Sequence, residues 1–198
     1  VSVIPIRANG TKRPAVRWAE YQLELPTSAK LSEWWENGVV YGLGLICGKV
    51  SGNLELVELE GRALTSENLT EVLNQCDELG IDWLWDLLTG PQGYSQTSPS
   101  GGLHLLYRIN DHEVPGNTKL AQNEARECLA ETRGEGGYVV AAPTSGLCHP
   151  SGEAWEVLVG APGCVPSIAW ADRCLLHQAI TTALNATEHL YPHLAATT

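Results

Sequence analysis

Two glutamates separated by a single residue, Glu58 and Glu60, are the first feature of this chain that suggests chemistry. They lie in Leu54-Glu55-Leu56-Val57-Glu58-Leu59-Glu60, an apolar-rich run that reads as a strand. On a strand, residues i and i+2 share a face, which puts the two carboxylates roughly 6.5–7 Å apart along the backbone. Side chains of that length can converge on one cation or a close pair, while Val57 and Leu59 turn the other way into a core. A second run, Leu129-Ala130-Glu131-Thr132-Arg133, puts Glu131 and Arg133 on a common face by the same rule. His104 stands among apolar neighbours in Leu103-His104-Leu105-Leu106-Tyr107, directly after Ser100-Gly101-Gly102. Each feature alone has an ordinary explanation. A Glu-x-Glu pair is common on a solvated strand, and a strand histidine is usually a satisfied structural residue. Ser-Gly-Gly commonly just makes a turn, and a Glu-Arg pair on a surface contributes little. The weight lies in their joint order along the chain.

Short strands and helices must position these residues. Residues 1–6 are β-rich, Asn9-Gly10 marks a turn, and Lys12-Arg13-Pro14 is a basic cluster. Residues 29–37 read as a helix with Leu31, Trp34 and Trp35 on one face and Asn37-Gly38 as the stop. A buried strand is expected over 39–47, a turn over 49–53 and the glutamate strand over 54–60. Leu69, Val72, Leu73, Cys76 and Leu79 recur at helical spacing, with Thr65 or Ser66 to cap the start and Gly80 to end it. Residues 82–88 give another turn or two. A polar loop over 90–102 precedes the histidine strand over 103–109, and further strands are expected at 129–133, 138–142 and 154–158. From residue 167 the chain reads as helical to near its end. Strands and helices intermingle without strict alternation, which favours an α+β fold over a doubly wound sheet.

Composition narrows the classes. With 198 residues and 43% hydrophobic content the chain can bury a sizeable core. No stretch reaches the roughly 20 apolar residues of a membrane span, and the start lacks a secretory pattern. Six cysteines are scattered without a Cys-x-x-Cys pair, so reduced, partly buried thiols in a cytoplasmic protein are expected. The net charge of -11 argues against a protein that simply coats DNA. An acidic body suits an enzyme that reaches phosphates through divalent metals, because the ions reverse the local sign. Cys148, His149, His177, His189 and His193 show no zinc-finger spacing and read as structural or exposed. The seven tryptophans read mostly as core, with Trp18 or an exposed Tyr94 as candidates for stacking on a base.

The motifs resemble one family in their order. Gly42 to Gly52 followed by Leu56-Val57-Glu58-Leu59-Glu60-Gly61 is similar to the prim-pol branch of the archaeo-eukaryotic primase superfamily. So are Thr97-Ser98-Pro99-Ser100-Gly101-Gly102-Leu103-His104-Leu105-Leu106-Tyr107 and the run from Glu131 to Ser145. Lys12 to Trp18 and Trp34-Trp35 look like the family's opening. The similarity spans about residues 3–158 and looks closest to versions carried by actinobacterial phages, where a helicase often follows. The family's first motif is usually Asp-x-Asp or Asp-x-Glu, and here it is Glu58 and Glu60. Glu131 stands where aspartate is common, with Glu135 a weaker substitute in a Gly-rich turn.

What the resemblance implies is a DNA primase-polymerase of cytoplasmic location, with an RRM-like catalytic core in mixed sheets with flanking helices. Residues 1–165 would form the catalytic domain, and 166–198 a helical segment leading toward a helicase region. Glu58, Glu60 and Glu131 would hold two Mg²⁺ or Mn²⁺ ions. His104 would hydrogen-bond the incoming triphosphate, with Ser98, Ser100, Gly101 and Gly102 supplying further donors and Arg133 a charge clamp. Single-stranded DNA template, primer strand, dNTP or NTP and a fused or associated helicase would be its partners, with no membrane. Two alternatives stand beside this one: a catalytically impaired nucleotide- or nucleic-acid-binding module of the same fold, and a metal nuclease using the same carboxylates.

Overall fold

The computed structural model describes residues 1–36 and 42–190. In chain order the first elements are β1 (Val3–Ile6), α1 (Ser28–Trp35), β2 (Gly42–Ile46) and β3 (Leu54–Leu59). Then come α2 (Ser66–Glu78), α3 (Asp82–Thr89), β4 (Tyr94–Thr97) and β5 (Leu103–Ile109). The last are β6 (Lys119–Gln122), β7 (Cys128–Arg133), β8 (Tyr138–Ala141), β9 (Glu156–Val159), β10 (Ser167–Ile168) and α4 (Trp170–Leu190). The strands make two sheets. The larger runs β6-β7-β3-β5-β4-β9 with antiparallel neighbours, and β10 joins the end of β5 in parallel. The smaller is β1-β2-β8, also antiparallel. This is the α+β class expected from the intermingled elements.

Period-two alternation decides what each face of the large sheet meets. Val57, Leu59, Leu105 and Tyr107 face the helices and pack with Val72, Leu84, Leu88, Leu176 and Ile180. Leu54, Leu56, Tyr94 and Leu106 face the small sheet and meet Leu45, Cys47, Val139 and Ala141. Each fully buried leucine contributes about 1.5–3 kcal/mol, so both interfaces are strongly specified. A third cluster, with Ile4, Ile6, Ile46, Tyr21, Trp34 and Trp155, covers the outer side of the small sheet. On the inner face of β3 the apolar series ends at Leu56. The next two residues on that face are Glu58 and Glu60, and there the sheets stop sharing a core and leave a cleft.

Helix ends follow their local chemistry. Thr27 and Thr65 cap α1 and α2 by accepting from the Lys30 and Asn68 amides. Gly80, at φ +69°, stops α2. α4 packs on α2 and β6 and buries Leu176, Ala179, Ile180, Ala183 and Leu184 in the main core. Its Arg173 also grips Glu55 on the helix side of β3, through Nε and Nη2 at 2.7 Å each.

Several expectations change. The loop expected over 90–102 contains β4, missed because Ser95, Gln96 and Thr97 carry polar side chains despite lying between two strands. β6 was not anticipated, and β10 precedes the last helix. The strand expected from residue 39 begins at Gly42, and residues 37–41, with the expected Asn37-Gly38 stop, lie outside the described residues. His193 and the side chain of His189 lie outside them as well. Tyr94 is fully buried, its hydroxyl donating to Gln96, so it offers no exposed face to a base. All six cysteines are free. Among the described residues no helix is long and apolar enough to cross a membrane.

Candidate active site

Backbone pairing builds a row of polar side chains across four strands. Glu58 on β3 pairs with Glu131 on β7 on one side and with His104 on β5 on the other, and His104 pairs with Gln96 on β4. Directly opposed residues project to the same face, here the cleft side of the sheet. Gln96 is fully buried. Its Oε1 accepts from the Ala142 amide at 2.8 Å and the Tyr94 hydroxyl at 3.1 Å. Its Nε2 donates to the Val140 carbonyl at 2.8 Å and faces His104 Nδ1 at 2.9 Å. With the amide oriented that way, His104 Nδ1 accepts and the ring proton sits on Nε2. That nitrogen lies 3.0 Å from Glu58 Oε1 without an aligned hydrogen bond, and the ring is only 3% exposed.

The glutamates divide into two environments. Burial pushes the Glu58 carboxyl up, but His104, Arg133 and Lys12 outweigh it and leave it below its ordinary range. Glu60 is held above that range, first by burial and then by the charges of Glu58 and Glu131. Carboxylates packed so that one resists ionisation create a demand for a cation. Glu131 is touched by Arg133 Nη2, which supplies part of that charge.

The tightest donor group differs from the expected trio. Ligand atoms of Glu60, Glu131 and Cys128 lie within 4.8 Å of one another, while Glu58 is turned toward His104. Cys128 went unrecognised for a geometric reason. Positions 128 and 131 fall on opposite faces of a regular strand, but β7 carries one extra residue against β6 between Ala130 and Cys128. Such a bulge resets the alternation and re-aims the side chain beyond it. Burial, with Glu131 and Glu60 adding to it, pushes the Cys128 thiol up to about 11. Two carboxylates beside a thiol suit a divalent ion, and the buried, unaligned His104 nitrogen shows that the cleft holds unspent polar capacity.

The Ser98–Gly102 segment forms a tight turn at the cleft edge. The Gly101 amide donates to the Ser98 carbonyl at 2.8 Å, and the Gly102 amide to Ser98 Oγ at 3.0 Å. Both glycine amides are thus engaged inside the turn, and the hydroxyls of Ser98 and Ser100, 3.2 Å apart, are what faces the cleft. Gly101 takes φ +79°, and Gly61 lies so close that a Cβ there would strike the Ser100 carbonyl.

The opposite wall comes from the N-terminal segment and the small sheet. Lys12, Trp18, Tyr138, His149 and Trp155 border a cleft of about 410 Å³. Lys12 adopts φ +58°, held by its amide on the Cys148 carbonyl and by its own carbonyl, which accepts from the Tyr138 hydroxyl. Trp18 packs edge-on against Tyr138, ring centroids 5.1 Å apart. Glu58, Glu60, Glu131, His104, Ser98, Ser100 and Arg133 all line this one cleft. Glu135 does not; its carboxylate accepts from the Lys49 amide on the outside. Sequence reasoning missed Lys12 and His149 as cleft residues, Gln96 as a support and Cys128 beside the Glu60 and Glu131 carboxylates.

No curated protein matches the chain. The family model described as bifunctional DNA primase/polymerase, N-terminal (Prim-Pol), matches residues 1–169, and with its α+β fold of the archaeo-eukaryotic primase type the chain belongs to that family.

Proposed function

We propose that this chain is a template-directed primase-polymerase that joins nucleotides from dNTPs or NTPs and releases pyrophosphate by a two-metal route. The observation that carries this reading is the convergence of Glu58, Glu60, Glu131 and His104, from three neighbouring strands, on one cleft walled by Lys12 and Trp18. Glu60 and Glu131, with Glu58 beside them, would hold Mg²⁺ or Mn²⁺ through hard oxygen ligands. When bound, such ions lower the pKa of the primer 3′-hydroxyl and offset charge on the leaving pyrophosphate.

The remaining work belongs to the protein. His104 holds its proton on Nε2, turned to the cleft, where it donates to a triphosphate oxygen. The Ser98 and Ser100 hydroxyls add donors, while Gly101 and Gly102 give the turn its shape. Arg133 orients Glu131, and Lys12 brings a cation to the side of the triphosphate. Trp18 supplies an aromatic surface for a base. Single-stranded template, primer and nucleoside triphosphate are the substrates in this reading, and a helicase, fused or associated, is its partner.

The test is extension of a labelled primer on single-stranded template with dNTPs and Mn²⁺. The unsubstituted chain should extend it, and Glu58→Ala, Glu60→Ala and Glu131→Ala should each slow it by about 10²-fold or more. Nucleotide binding without any extension would point instead to a catalytically impaired binding module of this fold. Strand degradation without triphosphates would mark a nuclease.

A further inference from the structure

The bulge in β7 brings a sulfur atom into a site otherwise built from oxygen. Without the extra residue between Ala130 and Cys128, the thiol would point away from Glu131. With it, Sγ lies within 4.8 Å of ligand atoms from both Glu60 and Glu131, and all three residues are half-buried. A second observation comes from β5, the strand on the other side of β3. His104 Nε2 is buried and has no aligned hydrogen-bond partner, although it sits on the strand next to Glu58. Sulfur beside carboxylates is the donor that borderline and soft divalent ions prefer, whereas Mg²⁺ takes oxygen.

We propose that Cys128 is a ligand of the Glu60–Glu131 cation position and makes it selective for thiophilic divalent ions such as Cd²⁺, Zn²⁺ and Co²⁺. This rests on the reading that Glu60 and Glu131 hold a cation. The thiol sets which ions compete there with Mg²⁺ or Mn²⁺, a choice that two carboxylates alone would leave to size and charge. It leaves the carboxylates as the binding core, so removing the sulfur changes selectivity more than capacity.

The experiment uses the full chain with the exposed Cys164 and Cys174 replaced by serine, which removes accessible competing thiols. Titration with Co²⁺ should produce a thiolate-to-metal charge-transfer band in the near ultraviolet. Cys128→Ser, added to that background, should abolish the band and weaken Cd²⁺ binding, measured by calorimetry, at least about tenfold. Mn²⁺ affinity should change little. Glu60→Gln in the same background should weaken both Cd²⁺ and Mn²⁺. If Cys128→Ser keeps the band and the Cd²⁺ affinity while Glu60→Gln loses them, the sulfur ligand is refuted and the cation position stands. If neither substitution changes binding of either ion, the cation position itself is refuted, and with it the metal-dependent reading above. A second measurement needs no substitution at all. Cd²⁺ should protect Cys128 of the natural chain from iodoacetamide, read by peptide mass spectrometry, and Mg²⁺ should not. Equal labelling with and without Cd²⁺ overturns the proposal.

Discussion

Glu55 and Glu58 leave the same strand on opposite faces, and each carboxylate meets a basic side chain on its own side of the sheet. Glu55 is gripped by Arg173 of α4 through two bonds of 2.7 Å, while Glu58 lies 3.0 Å from His104 in the cleft. A separation of three positions along β3 thus connects the last helix to the cleft. The Tyr107 hydroxyl donates to Glu55 and, having one proton, must accept from His177 Nε2, which completes a buried network on the sheet face away from the cleft.

Breaking that pair from one side should be costly. Arg173→Met leaves the Glu55 carboxylate, which is fully buried, without its counter-charge, and a loss of about 3–5 kcal/mol in urea unfolding is expected. Combining it with Glu55→Leu should restore most of the loss, because two apolar side chains replace the pair. A double variant no more stable than Arg173→Met would show that the pair is not what holds α4 to the sheet.

Acid should weaken the fold through His177. Burial, reinforced by the Arg173 charge, draws its pKa down to about 3, whereas an unfolded histidine titrates near ~6.5. Between those values the unfolded chain binds the extra proton, so stability rises with pH across the window and is lost as pH falls from about 6.5 toward 3. His177→Gln keeps a donor toward Tyr107 and removes the titration. Its melting temperature should vary less than that of the unsubstituted chain between pH 7 and pH 5, above the ordinary carboxylate range; parallel profiles would refute the assignment.

Gln96 is a positioning residue whose loss should be felt in both stability and catalysis. Gln96→Leu strands the Val140 carbonyl, the Ala142 amide and His104 Nδ1, each at about 1–3 kcal/mol. Thermal unfolding should fall accordingly. In the fraction that folds, the apparent KM for nucleotide should rise, because the imidazole loses its fixed orientation. Gln96→Glu, which keeps the acceptor but not both donors, should give an intermediate result.

Gly61 tests how closely the serine turn must approach. A methyl group there meets the Ser100 carbonyl, so Gly61→Ala should push the Ser98–Gly102 turn away from Glu60. A displacement of that kind costs about 10²-fold in extension rate when the turn positions the triphosphate. Normal extension by a folded Gly61→Ala chain would remove the turn from the mechanism.

What the sequence disclosed was whatever obeys a regular period. Glu58 with Glu60 and Glu131 with Arg133 are two apart, and the structure puts each pair on one wall. Cys128 escaped because a bulge changes the count between it and Glu131, and bulges have no reliable sequence mark. β4 escaped because its inward Gln96 is polar yet fully buried; hydropathy cannot distinguish a satisfied buried amide from a solvated one. The Arg173–Glu55 bond joins residues 118 apart, and nothing local to either announces the other. Tyr94 read as exposed because its polar neighbours suggested a loop, whereas they point into hydrogen bonds between sheets.

The row Glu131, Glu58, His104, Gln96 runs across the strands, so its spacing is the ~4.8 Å separation of hydrogen-bonded backbones and owes nothing to the connections between them. Lengthening the exposed 110–113 stretch or the hairpin bend at 123–127 should therefore leave extension untouched. Sliding one strand by a single position would turn its member of the row to the opposite face. New loops could be grafted onto this chain away from the Ser98–Gly102 turn and the Lys12–Trp18 segment, provided the ladder beneath keeps its rungs matched.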